Sequence, residues 1–96
     1  MNTDKSSADF YKRLKTQLEE DSSWPATYLY KFIIPASEEK LKTIESIFKD
    51  TNAEISTRES SKGTYTSVSI KLMMESPDAV INKYIEVSKV EGVISL

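Results

Sequence analysis

Residues 60–70 read SSKGTYTSVSI, a polar turn that runs directly into a strand. Gly63, one of only two glycines in the chain, ends a polar four-residue turn where a hairpin loop needs a positive φ. Beyond it the side chains alternate in character over residues 64–74, which is typical of a strand with two different faces. The core-facing set is predicted to be Thr66, Val68, Ile70, Leu72 and Met74, and the opposite set Tyr65, Ser67, Ser69, Lys71 and Met73. A slip of one residue would bury two serines and a lysine, so the pattern specifies the register.

A strand, a helix and a second strand are predicted before this hairpin. Residues 28–34 are rich in aromatic and β-branched side chains, as in a central strand, and Pro35 ends the strand because it has no N–H to donate. Ser37 is the predicted N-cap of the helix. The apolar face of that helix comprises Leu41, Ile44, Ile47 and Phe48. Residues 53–59 mix apolar and charged side chains in the way that is typical of a strand at a sheet edge.

A helix and a short strand are predicted after the hairpin. Ser76, Pro77 and Asp78 form a strong helix start, with the proline at the first helical position. Gly92 lies where the chain leaves this helix for a last strand. The order strand, helix, strand, strand, helix, strand predicts an α+β fold, the ferredoxin-like β-α-β-β-α-β sandwich, with a four-stranded antiparallel sheet and two helices on one face.

An additional helix is predicted before this domain. Phe10, Leu14 and Leu18 recur every four positions among charged residues, which indicates a narrow amphipathic helix. We therefore expect a disordered N-terminus at residues 1–7, the helix and a linker at residues 8–23, and the domain at residues 24–96. Trp24 is the expected anchor between helix and sheet.

Composition excludes several classes of function. The chain has 96 residues, enough for one domain, and contains neither cysteine nor histidine. The usual general base at neutral pH and the usual ligands of transition metals are therefore missing, and we expect no enzyme, no cofactor and no metal site. Glu19, Glu20 and Asp21 form an acidic cluster, but their spacing is not that of a calcium loop.

Charge and hydropathy argue against two kinds of partner. The net charge is −2 and the pI is near 5.2, so we expect no nucleic acid. Tyr28, Tyr30 and Phe32 are predicted to face the helices, which leaves Tyr65 as the one obvious aromatic for base stacking. No apolar run approaches the ~20 residues that span a bilayer, and the N-terminus lacks the order of a secretory signal. We expect a cytoplasmic protein without a membrane partner.

Two surfaces remain as candidate sites. Leu29 and Ile33 are predicted to lie on the face of the sheet that the two helices leave open, where exposed apolar groups indicate a contact. We expect the stripe of Phe10, Leu14 and Leu18 to dock over this face or its rim; the alternative is that the patch or the stripe contacts another subunit.

The hairpin is the second candidate, as an interaction or anion site. Its hydroxyls, cation and turn amides come from Ser60, Ser61, Lys62 and Gly63, with Tyr65 and Ser67 next to them on the strand. The alternative interpretation is an ordinary hairpin turn with a solvated lysine.

The chain also resembles a known family. The segments YLYKF, SSKGTYTSVSI and EGVISL, within residues 24–96, are similar to the YbeD-like family of small bacterial proteins of unknown function. The resemblance implies a fold similar to ACT-type regulatory domains, which bind small effectors and often pair side by side. Such domains commonly place glycine after the first strand, whereas this chain has Pro35, Ala36 and Ser37 there, which argues against an effector at that loop.

The two function hypotheses are a regulatory or protein-interaction module without enzymatic activity, and an ACT-like sensor that binds a small metabolite at a subunit boundary. Both allow an unidentified protein partner or a homodimer.

Overall fold

The computed structural model describes residues 3–96, with side chains from residue 8 onward. Within this range, three helices and four strands follow one another. Their bounds are α1 Thr3–Asp21, β1 Ala26–Pro35, α2 Glu38–Ile47, β2 Glu54–Glu59, β3 Tyr65–Met74, α3 Pro77–Ser88 and β4 Ile94–Ser95. No helix in this range combines the length and the apolar character needed to cross a bilayer.

The four strands form one antiparallel sheet in the order β2-β3-β1-β4. Strands β1 and β3 pair over their whole length, with Tyr30 opposite Ile70 and Phe32 opposite Val68. Helices α2 and α3 cover one face of this sheet. The ferredoxin-like α+β fold that the sequence predicts is therefore confirmed, and the extra N-terminal helix is present.

The alternation along β3 appears in the structure as expected. Val68 and Ile70 are fully buried under the helices, whereas Tyr65 and Lys71 are exposed on the opposite face. The predicted register is confirmed by the pairing of β3 with both neighbours. It holds because the alternative register would place hydroxyls and a lysine ammonium in an apolar core.

A cluster of aromatic rings occupies the centre of the core. Tyr30 is fully buried against Phe32, Phe48 and Tyr84, and its hydroxyl donates to the backbone oxygen of Val80 at 2.9 Å. Burial raises the pKa of Tyr30 and of Tyr84 far above the usual value for a phenol, so both stay neutral. Because these phenols are buried away from water, each hydroxyl needs a hydrogen-bond partner within the protein.

Side chains close the helix ends as predicted. The hydroxyl oxygen of Ser37 accepts from the backbone N–H of Lys40 at 3.3 Å, and that of Ser76 accepts from Ala79 at 3.1 Å. At the other end of α2, the Lys83 ammonium of α3 donates to a backbone oxygen at 2.6 Å. These contacts satisfy helix-end groups that would otherwise lack partners.

The structure corrects two expectations about the N-terminus. Helix α1 begins at Thr3 rather than at Ala8, and residues 1–2 lie outside the described part of the chain. The disorder expected for residues 1–7 stays a prediction. The apolar stripe predicts too late a start for the helix. A stripe marks only the turns that pack, and polar residues extend a helix without it.

Helix α1 also does not dock over the open face of the sheet. It packs beside α3, with Leu14 and Leu18 against the core and Lys15 paired with Asp78 at 2.9 Å. The indole N–H of Trp24 donates to the backbone oxygen of Leu18 at 3.1 Å, in agreement with its predicted anchoring role. Leu14 and Leu18 of the apolar stripe thus find their partners on the helical side of the domain, whereas Phe10 stays exposed.

Gly92 is the glycine whose replacement should cost most. Its φ is +81°, and a Cβ there would lie 2.9 Å from Cγ of Pro35. We expect Gly92→Ala to lower the free energy of unfolding by about 2–4 kcal/mol, from the strained φ together with the clash. Chemical denaturation followed by circular dichroism measures this loss.

Gly63 is the matched control, since its φ is +68° but a Cβ would meet nothing within 4 Å. Gly63→Ala should cost only the backbone strain, about 1–2 kcal/mol. Equal losses for the two variants would contradict the predicted clash with Pro35.

Candidate functional site

The face of the sheet opposite the helices is uncovered and partly apolar. Leu29 of β1 is 51% exposed there, and Met73 of β3 is 62% exposed. Ile33 is half-buried and pairs across the strands with Ile94 of β4. We call Leu29, Ile33, Met73 and Ile94 the open-face patch. Its uncovered apolar surface is of the kind that marks a contact with another molecule.

The structure does not bring the candidate contact residues of α1 together with those of β1. Leu14 and Leu18 pack against the core from the helical side, and Phe10 is exposed on α1, whereas Leu29 and Ile33 lie on the open face. The proposed single surface therefore separates into two. Only the residues on β1 belong to the face that the helices leave free.

One side of β1 carries backbone groups that no strand covers within the described part of the chain. Strand β4 pairs with β1 only at Phe32 and Ile33, and the backbone oxygen of Lys31 accepts from the N–H of Leu96 at 2.9 Å. Backbone groups of alternate residues in a strand point to the same side. The N–H and C=O groups of Thr27 and Leu29 therefore point to the same side as those of Lys31, beyond the end of β4. We call Ala26–Tyr30 the β1 edge.

The predicted hairpin site is partly assembled. A groove of about 380 Å³ lies at the hairpin end of the open face. It brings together four of the six residues singled out in the sequence, namely Ser60, Ser61, Tyr65 and Ser67. Lys62 and Gly63 do not line it. The groove also contains Ile33, which the sequence singled out for the contact surface, and two residues that it did not single out, Arg58 and Glu59.

Ser60 builds the turn that shapes this groove. Its hydroxyl oxygen accepts from the backbone N–H groups of Thr64 and Tyr65, both at 3.1 Å. Its own N–H donates to the oxygen of Tyr65 at 2.9 Å, and its C=O accepts from the N–H of Gly63 at 2.9 Å. With these acceptor sites used inside the turn, the hydroxyl hydrogen of Ser60 is free to donate elsewhere.

The pairing of the two hairpin strands places Arg58 in the groove. It lies opposite Ser67, whose hydroxyl donates to the backbone oxygen of Arg58 at 3.4 Å. Among the side chains that the structure describes, none forms an ion pair with Arg58 within 4.0 Å. Counting back across the turn from Ser67 would have placed Arg58 here from the sequence alone. The pairing of the two hairpin strands is the signal in the sequence that identifies it.

The acidic cluster at the end of α1 stays a solvated surface. Glu19, Glu20 and Asp21 are all exposed, and no three carboxylates among the residues with described side chains lie together as a metal site. The position at a helix C-terminus also opposes the helix dipole. The cluster is therefore not part of the candidate site.

The strand order and the two covering helices define an α+β domain of the ferredoxin-like class. The fold is similar to the ACT domain of GTP pyrophosphokinase from Chlorobium tepidum, with a TM-score of 0.52 and 13% identity, over 74% of this chain and 100% of that domain. At this level of identity, the similarity concerns the fold alone.

Sequence comparison identifies the family. A family model described as "Protein of unknown function (DUF493)" matches residues 19–96. A UPF0250 protein of Shewanella woodyi is 31% identical over 83 residues, which cover 83% of this chain and 94% of that protein. The chain belongs to the DUF493 family, and the resemblance to YbeD-like proteins is confirmed.

Proposed function

We propose that this protein is a cytoplasmic, non-enzymatic regulatory or interaction module that acts by pairing with a second copy along the β1 edge. One observation carries the proposal. The backbone groups of Thr27 and Leu29 face a side of the sheet that no described strand covers, next to the exposed Leu29 side chain. Such an edge is a ready template for another strand.

The β1 edge is complementary to itself. If two copies pair antiparallel about a two-fold axis at Tyr28, then Thr27 of each copy lies opposite Leu29 of the other. Both residues direct N–H and C=O to this side, so the arrangement forms four inter-chain hydrogen bonds in one symmetric register. It also brings the two Leu29 side chains to diagonal positions on the joined open face.

The other edge of the sheet is less suited to pairing. Strand β2 carries Glu54, Arg58 and Glu59 within six residues, whereas Ala26–Tyr30 carries no charged side chain. Charged side chains are a common means of preventing edge-to-edge association. The difference favours β1 as the edge that a second copy occupies.

Sedimentation velocity over a concentration series tests the pairing. Because the contact is small, we expect a weak dimer, with a dissociation constant of about 10–100 µM. The weight-average sedimentation coefficient should then rise between about 5 µM and about 500 µM protein. A coefficient that stays at the monomer value over this range would refute the pairing.

The alternative function, a sensor with a metabolite at a subunit boundary, stays a prediction. It requires the dimer as well, so a strictly monomeric protein would argue against both hypotheses.

A further inference from the structure

Three neighbouring strands contribute to the hairpin groove in a single row. Ile33 of β1 lies opposite Ser67 of β3, and Ser67 lies opposite Arg58 of β2. Side chains opposite one another in antiparallel strands are about 4.5–5.5 Å apart at Cβ. Tyr65 comes two residues before Ser67 in β3, on the same face and nearer the turn. Its side chain is 48% exposed. The row therefore runs from an aliphatic end to a guanidinium.

We propose that this groove binds a small carboxylate with an apolar body. The Arg58 guanidinium has a rigid fork of donors that matches a carboxylate, and no described side chain pairs with it. Ile33 and the ring of Tyr65 supply apolar contact for the body of the ligand. The hydroxyls of Ser60 and Ser61 add donors at the turn end of the groove.

Glu59 is next to Arg58 in the chain, but its side chain lies on the other face of the sheet. Glu59 pairs with Thr66, which is buried under the helices, whereas Arg58 pairs with Ser67 on the open face. Paired residues of antiparallel strands share a face. The register therefore directs Arg58 towards the ligand and makes Glu59 a control position.

This site is independent of the β1 edge. The groove uses Arg58, Tyr65 and Ser67, and the edge uses Thr27 and Leu29. Loss of pairing would leave the groove intact, and loss of ligand binding would leave the pairing intact. The two proposals therefore fail separately.

Phenylacetate is the probe ligand. Its binding to the full chain is monitored by chemical-shift changes in ¹H–¹⁵N spectra. Shifts should be saturable and should concentrate at residues 58–67, with a dissociation constant of about 1 mM for so small a ligand. The neutral analogue 2-phenylethanol should bind at least about 5-fold more weakly. Shifts that do not saturate by about 20 mM, or equal binding of the neutral analogue, would overturn the proposal.

Three variants assign the binding to side chains. Arg58→Gln should weaken phenylacetate binding by at least about 5-fold, because it removes the charged fork. Lys62→Gln removes a neighbouring cation that does not line the groove, and it should change binding by less than about 2-fold. Glu59→Gln changes a charge on the other face of the sheet, and it should also change binding by less than about 2-fold.

The same spectra report whether each variant is folded, so a loss of binding is read only from a folded protein. Equal effects of Arg58→Gln and Lys62→Gln would indicate general attraction of anions and would overturn the assigned site. An effect of Glu59→Gln as large as that of Arg58→Gln would also overturn it.

Discussion

Replacement of Tyr30 by alanine is expected to lower the free energy of unfolding by about 4–5 kcal/mol, close to the whole stability of a marginal domain. Tyr30 has 0% exposure and contacts aromatic rings from both β1 and the helices. The substitution leaves a large cavity and also removes the hydroxyl that donates to Val80. Urea denaturation, monitored by circular dichroism, measures the loss.

Two further variants separate the causes. Tyr30→Phe keeps the ring and removes only the hydroxyl, so it should cost about 1–2 kcal/mol. Tyr65→Ala removes the same kind of side chain from the open face and should cost less than about 1 kcal/mol. If Tyr65→Ala were as destabilising as Tyr30→Ala, the assignment of the two faces would be wrong.

Leu29→Pro is expected to abolish self-association while leaving the domain folded. The N–H of Leu29 points to the open edge rather than to β3, so the proline removes no hydrogen bond within the sheet. It removes one donor from the proposed contact and places a ring where the second copy would pair. The sedimentation coefficient should therefore be that of a monomer at every concentration.

Thr57→Pro is the matched control at the opposite edge. Directly after β2, the backbone N–H of Ser60 donates to the oxygen of Tyr65 in β3. The backbone groups of every second residue before Ser60 therefore also face β3. Thr57 is not one of these residues, so its N–H and C=O face outward. This variant introduces the same local constraint away from the proposed contact, and it should associate as the unmodified chain does. Loss of association in Thr57→Pro alone would move the contact to the β2 edge.

The hairpin sequence was sufficient to predict the sheet because its two faces differ in polarity. Alternation along β3 specifies which side chains are buried, and the helix starts at Ser37 and Ser76 depend on local hydrogen bonds. Such features involve residues close together in the chain. They are therefore readable without knowledge of distant contacts.

The candidate site was predictable only in part. Ser60, Ser61, Tyr65 and Ser67 line the groove as a local group, but Arg58 and Ile33 enter it through strand pairing. The cation that the sequence singled out, Lys62, lies outside. Residue type alone indicated a positively charged hairpin, whereas the register decides which positive charge faces the groove.

The order of the elements, the buried sets of β1 and β3 and the lack of cysteine and histidine can all be read from the amino-acid sequence. The packed domain adds that α1 lies beside α3, that the open face stays uncovered and that β4 ends before the β1 edge. Periodicity tells which face of an element is apolar. It does not tell which of several apolar surfaces that face will meet, because that choice depends on the packing of the whole domain.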